Sequence, residues 1–142
     1  MKENRNEIEI QSTPERVWEI LTDFVKYPEW NPLLTRAEGK LKVGEKVNLT
    51  AKPASSEMNL LCTVTTVEPN RQFSWKFHVG LPILIRGEHI FKIESINENK
   101  VRFIDREIFH GLLVPLQAKN LETNAKPAMI AMGKALKARV EN

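Results

Sequence analysis

The stretch Pro115–Asn142, PLQAKNLETNAKPAMIAMGKALKARVEN, decides the fold. Apolar side chains recur in it at Leu121, Ala125, Ala128, Met129, Met132, Ala135, Leu136 and Val140, a spacing of three and four that marks one stripe of an amphipathic helix. At ~1.5 Å rise per residue such a helix reaches roughly 35 to 40 Å, about the width of a whole domain. Lys119, Glu122, Lys126, Lys134, Lys137 and Glu141 form its polar face, so the apolar stripe needs an equally long apolar surface to lie on. Pro127 falls inside this run and predicts a kink near Ala125, because proline lacks a backbone N–H and crowds the preceding turn.

The residues upstream supply that surface. Glu7-Ile8-Glu9-Ile10-Gln11 alternates with the period of a strand. Ser12-Thr13-Pro14-Glu15 then has the form of a capping box, and Val17, Trp18 and Leu21 share one face of the helix it opens. Thr22 or Asp23 caps a second short helix, which Tyr27-Pro28 is expected to end. From Leu33 the pattern is strand after strand, near 33–39, 45–52, 57–68, 72–79, 84–96 and 100–110, with turn residues between. Such short loops imply an antiparallel meander of about seven strands, α+β in class, with the terminal helix covering its apolar face.

Composition narrows the function classes. A chain of 142 residues reads as one domain, residues 1–142, and its 42% apolar and 27% charged content is that of an ordinary globular protein. The charged start MKENRNEIEI is not a signal peptide, and no apolar run approaches the ~20 residues of a membrane span, so a cytoplasmic location is expected. The net charge is +3 with Lys and Arg scattered, which predicts no nucleic-acid partner. Three histidines without paired spacing and one cysteine predict no metal site, and the lack of a phosphate-cradling glycine loop predicts no nucleotide cofactor. Cys62, between Leu60 and Val64 on an apolar strand face, reads as a small buried hydrophobe.

Two connections are unusually apolar. Gly80-Leu81-Pro82-Ile83 enters one strand of the last hairpin and Gly111-Leu112-Leu113-Val114-Pro115 leaves the other, so antiparallel geometry sets both at one end of the sheet. The Pro53–Ser56 loop falls at the same end. These residues either anchor the start of the long helix or form the mouth of an apolar pocket.

A longer set of residues carries a resemblance. Leu21-Thr22-Asp23-Phe24, Tyr27-Pro28-Glu29-Trp30-Asn31-Pro32, Gly87-Glu88-His89 with Phe91, then Phe103, Glu107, Phe109, Gly111-Leu112-Leu113-Val114-Pro115 and Ala135-Leu136-Lys137-Ala138-Arg139 together resemble the START-like (SRPBCC) superfamily, and within it the bacterial polyketide cyclase/dehydrase and lipid-transport group. The resemblance implies a helix-grip fold, in which a curved antiparallel sheet wraps the C-terminal helix and two short helices follow the first strand. It also implies a hydrophobic cavity between helix and sheet, for a lipid, a polyketide or a similar molecule. Its members include carriers, cyclases and co-chaperones.

Read from the residues, the cavity wall is Trp75, Phe77, Phe91, Phe103 and Phe109, with Leu112 at its mouth, facing Met129 and Met132 on the helix. Small and flexible side chains on the helix allow either close approach or a void. His89 and Glu107 are the polar candidates. If Asn97-Glu98-Asn99 is the last turn and Ile96 pairs with Lys100, His89 stands opposite Glu107 and Phe91 opposite Asp105. Such a pair orients a ligand, serves as general base and acid, or simply ties the hairpin together. A two-residue turn would shift the register by one and undo it. The expected function is cofactor-free binding of a hydrophobic or amphipathic small molecule. The alternatives are a cyclase or dehydratase using His89 and Glu107, and a protein-interaction module.

Overall fold

The computed structural model describes residues 1–142. Strand β1 (Lys2–Ile10) leads into α1 (Pro14–Thr22), a 3-10 turn (Phe24–Lys26) and the single-turn α2 (Tyr27–Trp30). Strands β2 (Leu34–Gly39), β3 (Lys46–Ala51), β4 (Met58–Glu68), β5 (Gln72–Val79), β6 (Ile85–Asn97) and β7 (Lys100–His110) follow. The chain closes with α3 (Val114–Asn120), a π-helical turn (Leu121–Ala125) and α4 (Lys126–Glu141). All seven strands form one antiparallel sheet in the order β1-β7-β6-β5-β4-β3-β2. The meander and the covering helix are those of the helix-grip fold. Register shifts at Leu34/Arg36 and Val64/Thr66 each place an extra residue in the ladder, which bends a sheet locally. No helix is long and apolar enough to cross a membrane.

Local chemistry explains the helical ends. Thr13, one residue later than the Ser12 that the capping-box spacing implies, caps α1, its hydroxyl accepting from the Arg16 N–H at 3.2 Å. Pro28 departs from expectation: it sits in the first turn of α2 and helix continues to Trp30. At that position the missing N–H has no intrahelical partner to lose, so proline opens the turn and does not end it. Pro127 opens α4, but α4 continues the helical run from Val114 without a break, so the N–H that proline lacks is one the preceding turn would otherwise use. The predicted irregularity near Ala125 is a π turn, in which the Lys126 N–H donates to the Leu121 carbonyl. That carbonyl also accepts from Asn4 Nδ2 at 3.1 Å, which ties the π turn to the edge strand.

One core of buried apolar residues runs through the molecule. Phe73, Trp75, Phe91 and Phe103 from the sheet, Leu21, Phe24 and Tyr27 from the helical unit, and Met129, Met132, Leu136 and Val140 from α4 belong to it. Met129, Met132 and Leu136 have no exposed surface. Gly133 lies beside them on the buried face, where a Cβ would come within 3.0 Å of Asn6 Nδ2 and 3.5 Å of Ile8 Cγ2. The absent side chain thus lets α4 press closely on β1.

Candidate functional site

A cavity of about 260 Å³ opens between the concave face of the sheet and the segment before α4. Leu34, Leu49, Ala51, Leu60, Trp75, Phe77, Ile85 and Phe109 line it from six strands, and Leu121 and Ala125 close it from the π turn. Gln117, Asn120 and Asn124 add amides on the helical side, where Asn120 and Asn124 are exposed, while Pro53, Met58 and Val79 stand at the loop end. The wall depends on one glycine. A Cβ at Gly87 would meet the Phe77 ring at 2.7 Å, so only glycine lets that ring lie across β6.

Of the residues expected at the pocket, Trp75, Phe77, His89, Glu107 and Phe109 line it. Phe91, Phe103, Met129 and Met132 do not, and this corrects the sequence reading. They fill the core on the α4 side, where Gly133 allows helix and sheet to close together and no void remains for a ligand. Leu112 also lies outside the cavity, 68% exposed. Gly111 takes a φ of +135°, the Leu112 N–H donates to the Ile83 carbonyl at 3.0 Å, and Val114 in its place turns inward. The same bond joins the two apolar connections at one end of the sheet, as antiparallel pairing predicts. Sequence reasoning missed Leu34, Leu49, Ala51 and Leu60, which sit on early strands with ordinary alternation and carry no mark of a ligand wall.

The polar floor of the cavity comes from β6 and β7. His89 stands opposite Glu107 and Phe91 opposite Asp105, the register expected, but the turn that produces it differs. Glu98-Asn99 is a two-residue turn and Asn97 pairs with Lys100; a bulge between Ser95 and Asn97 then absorbs Ile96 and restores the pairing. His89 does not bond to the residue facing it. Its Nε2 donates to Oδ1 of Asp105, the diagonal neighbour, at 2.5 Å, and both side chains are buried. The imidazole stacks on Phe91 with ring centroids 3.9 Å apart and meets Trp75 edge-on at 6.4 Å.

Glu107 is left without a partner. Its residue is 8% exposed and no protein donor reaches Oε1. Asn4, facing it on β1, spends its amide on the Leu121 carbonyl. Burial pushes the Glu107 carboxyl up to about 7; the His89 charge opposes that rise and the Asp105 charge adds to it. Burial alone would lower the His89 pKa, but the charge and hydrogen bond of Asp105, with the charge of Glu107, hold it above the usual histidine value. Both groups therefore titrate with reference to one another.

The other candidates separate cleanly. Cys62 is fully buried and burial lifts its thiol to about 12, as suits an inert hydrophobe. His78 and His110 are exposed on the strand ends, away from the cavity. No group of three or more His, Cys, Asp or Glu side chains is arranged to hold a metal ion.

With this geometry in view, comparison with known proteins is informative. The family model described as polyketide cyclase / dehydrase and lipid transport matches residues 1–141. The chain belongs to that family. Among solved structures, this polyketide cyclase/dehydrase and lipid-transport chain is similar to a START superfamily protein from Mycobacterium smegmatis, with a TM-score of 0.81 at 18% identity, over 99% of this chain and 98% of that one. Protein MLL2253 from Mesorhizobium loti gives 0.77 at 22% identity, over 99% and 97% of the two chains. The Zhui aromatase/cyclase from Streptomyces sp. R1128 gives 0.77 at 15% identity, over 99% and 93%. At such identities the likeness is one of fold. A sequence search of curated proteins finds no significant match.

Proposed function

We propose that this member of the polyketide cyclase/dehydrase and lipid-transport family binds a hydrophobic or amphipathic small molecule, as a carrier or sensor, in the cavity between the sheet and the α3–π segment. One observation carries the reading: an apolar cavity of about 260 Å³ has at its floor a buried carboxyl, Glu107, with an oxygen that no protein donor satisfies. Leaving such an atom unpaired costs roughly 1–3 kcal/mol, and a ligand that pairs it recovers that cost. Apolar burial at about 25 cal/mol per Å² supplies the remaining affinity. Native mass spectrometry of the protein purified from its own host tests the reading. An adduct of small-molecule mass is expected on the wild type and absent from Leu121→Trp, which fills the cavity from the π turn. An adduct that persists in Leu121→Trp sinks this location.

A second reading, a cyclase or dehydratase without cofactor, is favoured by the Glu107 carboxyl at about 7, where one group both gives and takes a proton near neutrality. Glu107→Gln would then abolish turnover of a polyketide-like substrate while sparing its binding.

A further inference from the structure

Resting on the binding function just proposed, we infer that the cavity takes an apolar molecule about the size of two fused rings whose buried end carries a protonated amine, held by Glu107. Size follows from volume. A cavity of roughly 150 Å³ accepts benzene, and 260 Å³ leaves space for a second ring but not for a third or fourth. Polarity follows from the count of donors and acceptors at the floor. His89 from β6 is the other titratable side chain in the lining, and its Nε2–H is committed to Asp105. Asn4 from β1 is committed to the Leu121 carbonyl. Glu107 Oε1, on β7, remains in the lining as a buried acceptor without a donor; Asp105 Oδ2 is also unpaired but lies outside the lining. Leu121, Asn124 and Ala125, which close the cavity from the helical side, bring no charge. The unpaired Glu107 oxygen in this low-dielectric enclosure needs a donor, and once the carboxyl ionises, above about pH 7, the group that balances it is a cation that donates hydrogen bonds. An anionic or purely accepting ligand end would set a second unpaired acceptor beside Glu107.

Titration calorimetry at pH 8 with naphthalene, 1-naphthylmethylamine and 1-naphthoate tests this on the whole chain. The amine should bind about ten-fold or more tighter than naphthalene, since a charge-assisted hydrogen bond contributes that much, and the carboxylate should bind more weakly than either. In Glu107→Gln, the ratio of amine to naphthalene affinity should fall to about one, whatever the affinity for naphthalene itself. Equal binding of amine and naphthalene by the wild type, or the carboxylate binding best, overturns the inference without any variant. An amine preference that survives in Glu107→Gln overturns the role of Glu107. If naphthalene itself does not bind, the cavity function on which this rests fails as well.

Discussion

Met129 and Met132 on α4 and Leu121 and Ala125 on the π turn belong to one apolar stripe, yet the first pair is sealed in the core and the second borders a cavity. Side-chain size does not account for the difference, since the larger residues are in the filled half. Contact of the backbone with the sheet does. Gly133 packs α4 directly against Asn6 and Ile8 of β1, whereas the π turn meets the same edge strand through polar links, Asn4 to the Leu121 carbonyl and Lys2 to Glu122. A helix pressed backbone to strand packs its methionines as core; one joined by side-chain links leaves the concave face beside it uncovered. The lesson is that pocket and core along one helix are decided by where the backbone can approach, and small residues mark the near half as readily as the hollow one.

That contrast can be broken experimentally. The largest effect is expected from Met132→Ala, which should cost roughly 2–5 kcal/mol in urea unfolding, as for other buried Met or Leu truncations, and leave affinity for a cavity ligand unchanged. A loss of affinity without a loss of stability would extend the cavity under α4. The hollow half should respond to pH instead. Because Glu107 is lifted from 4.5 to about 7 by folding, its contribution to stability is full below pH ~4.5 and is lost as pH rises through 7. His89, also raised on folding, contributes in the same direction, its share declining above its unfolded value of 6.5. Melting temperature should therefore fall from pH 5 to pH 8, and Glu107→Gln should remove much of that fall, on the order of 3 kcal/mol. A flat wild-type profile would show that Glu107 is already paired. Pro127→Ala should have the smallest effect, within about 1 kcal/mol, since the helical N–H that alanine restores is offset by the freer unfolded chain. A larger loss in thermal unfolding would mean that proline, and not Asn4, holds the π turn.

Much of the architecture was legible in the chain, and the reasons are local. The alternation of Phe73, Trp75 and Phe77, and the three-four spacing of Met129, Met132 and Leu136, state which faces are buried whatever lies opposite. Thr13 announces its helix because capping is settled within four residues. The location of the cavity was not legible, because it depends on the distance between α4 and β1, a tertiary quantity to which no single segment is committed. The floor was half legible. Pairing of His89 with Glu107 follows from hairpin arithmetic, but the diagonal bond to Asp105 depends on rotamers, and the turn and the bulge at Ile96 are two departures that cancel.

That cancellation has a consequence for the evolution of the site. Ile96 works like a compensating insertion that restores a reading frame: with Glu98-Asn99 as the turn, pairing Ile96 with Val101 in place of bulging it out would shift every upstream rung of β6 by one step against β7. His89 would then confront Ile108, and the aromatic lining would be turned outward. The chemistry of the floor is thus hostage to one unpaired residue near a solvent-exposed hairpin tip: the tip can lose Ile96 and keep His89 opposite Glu107, but it cannot draw Ile96 into the ladder without breaking that pairing.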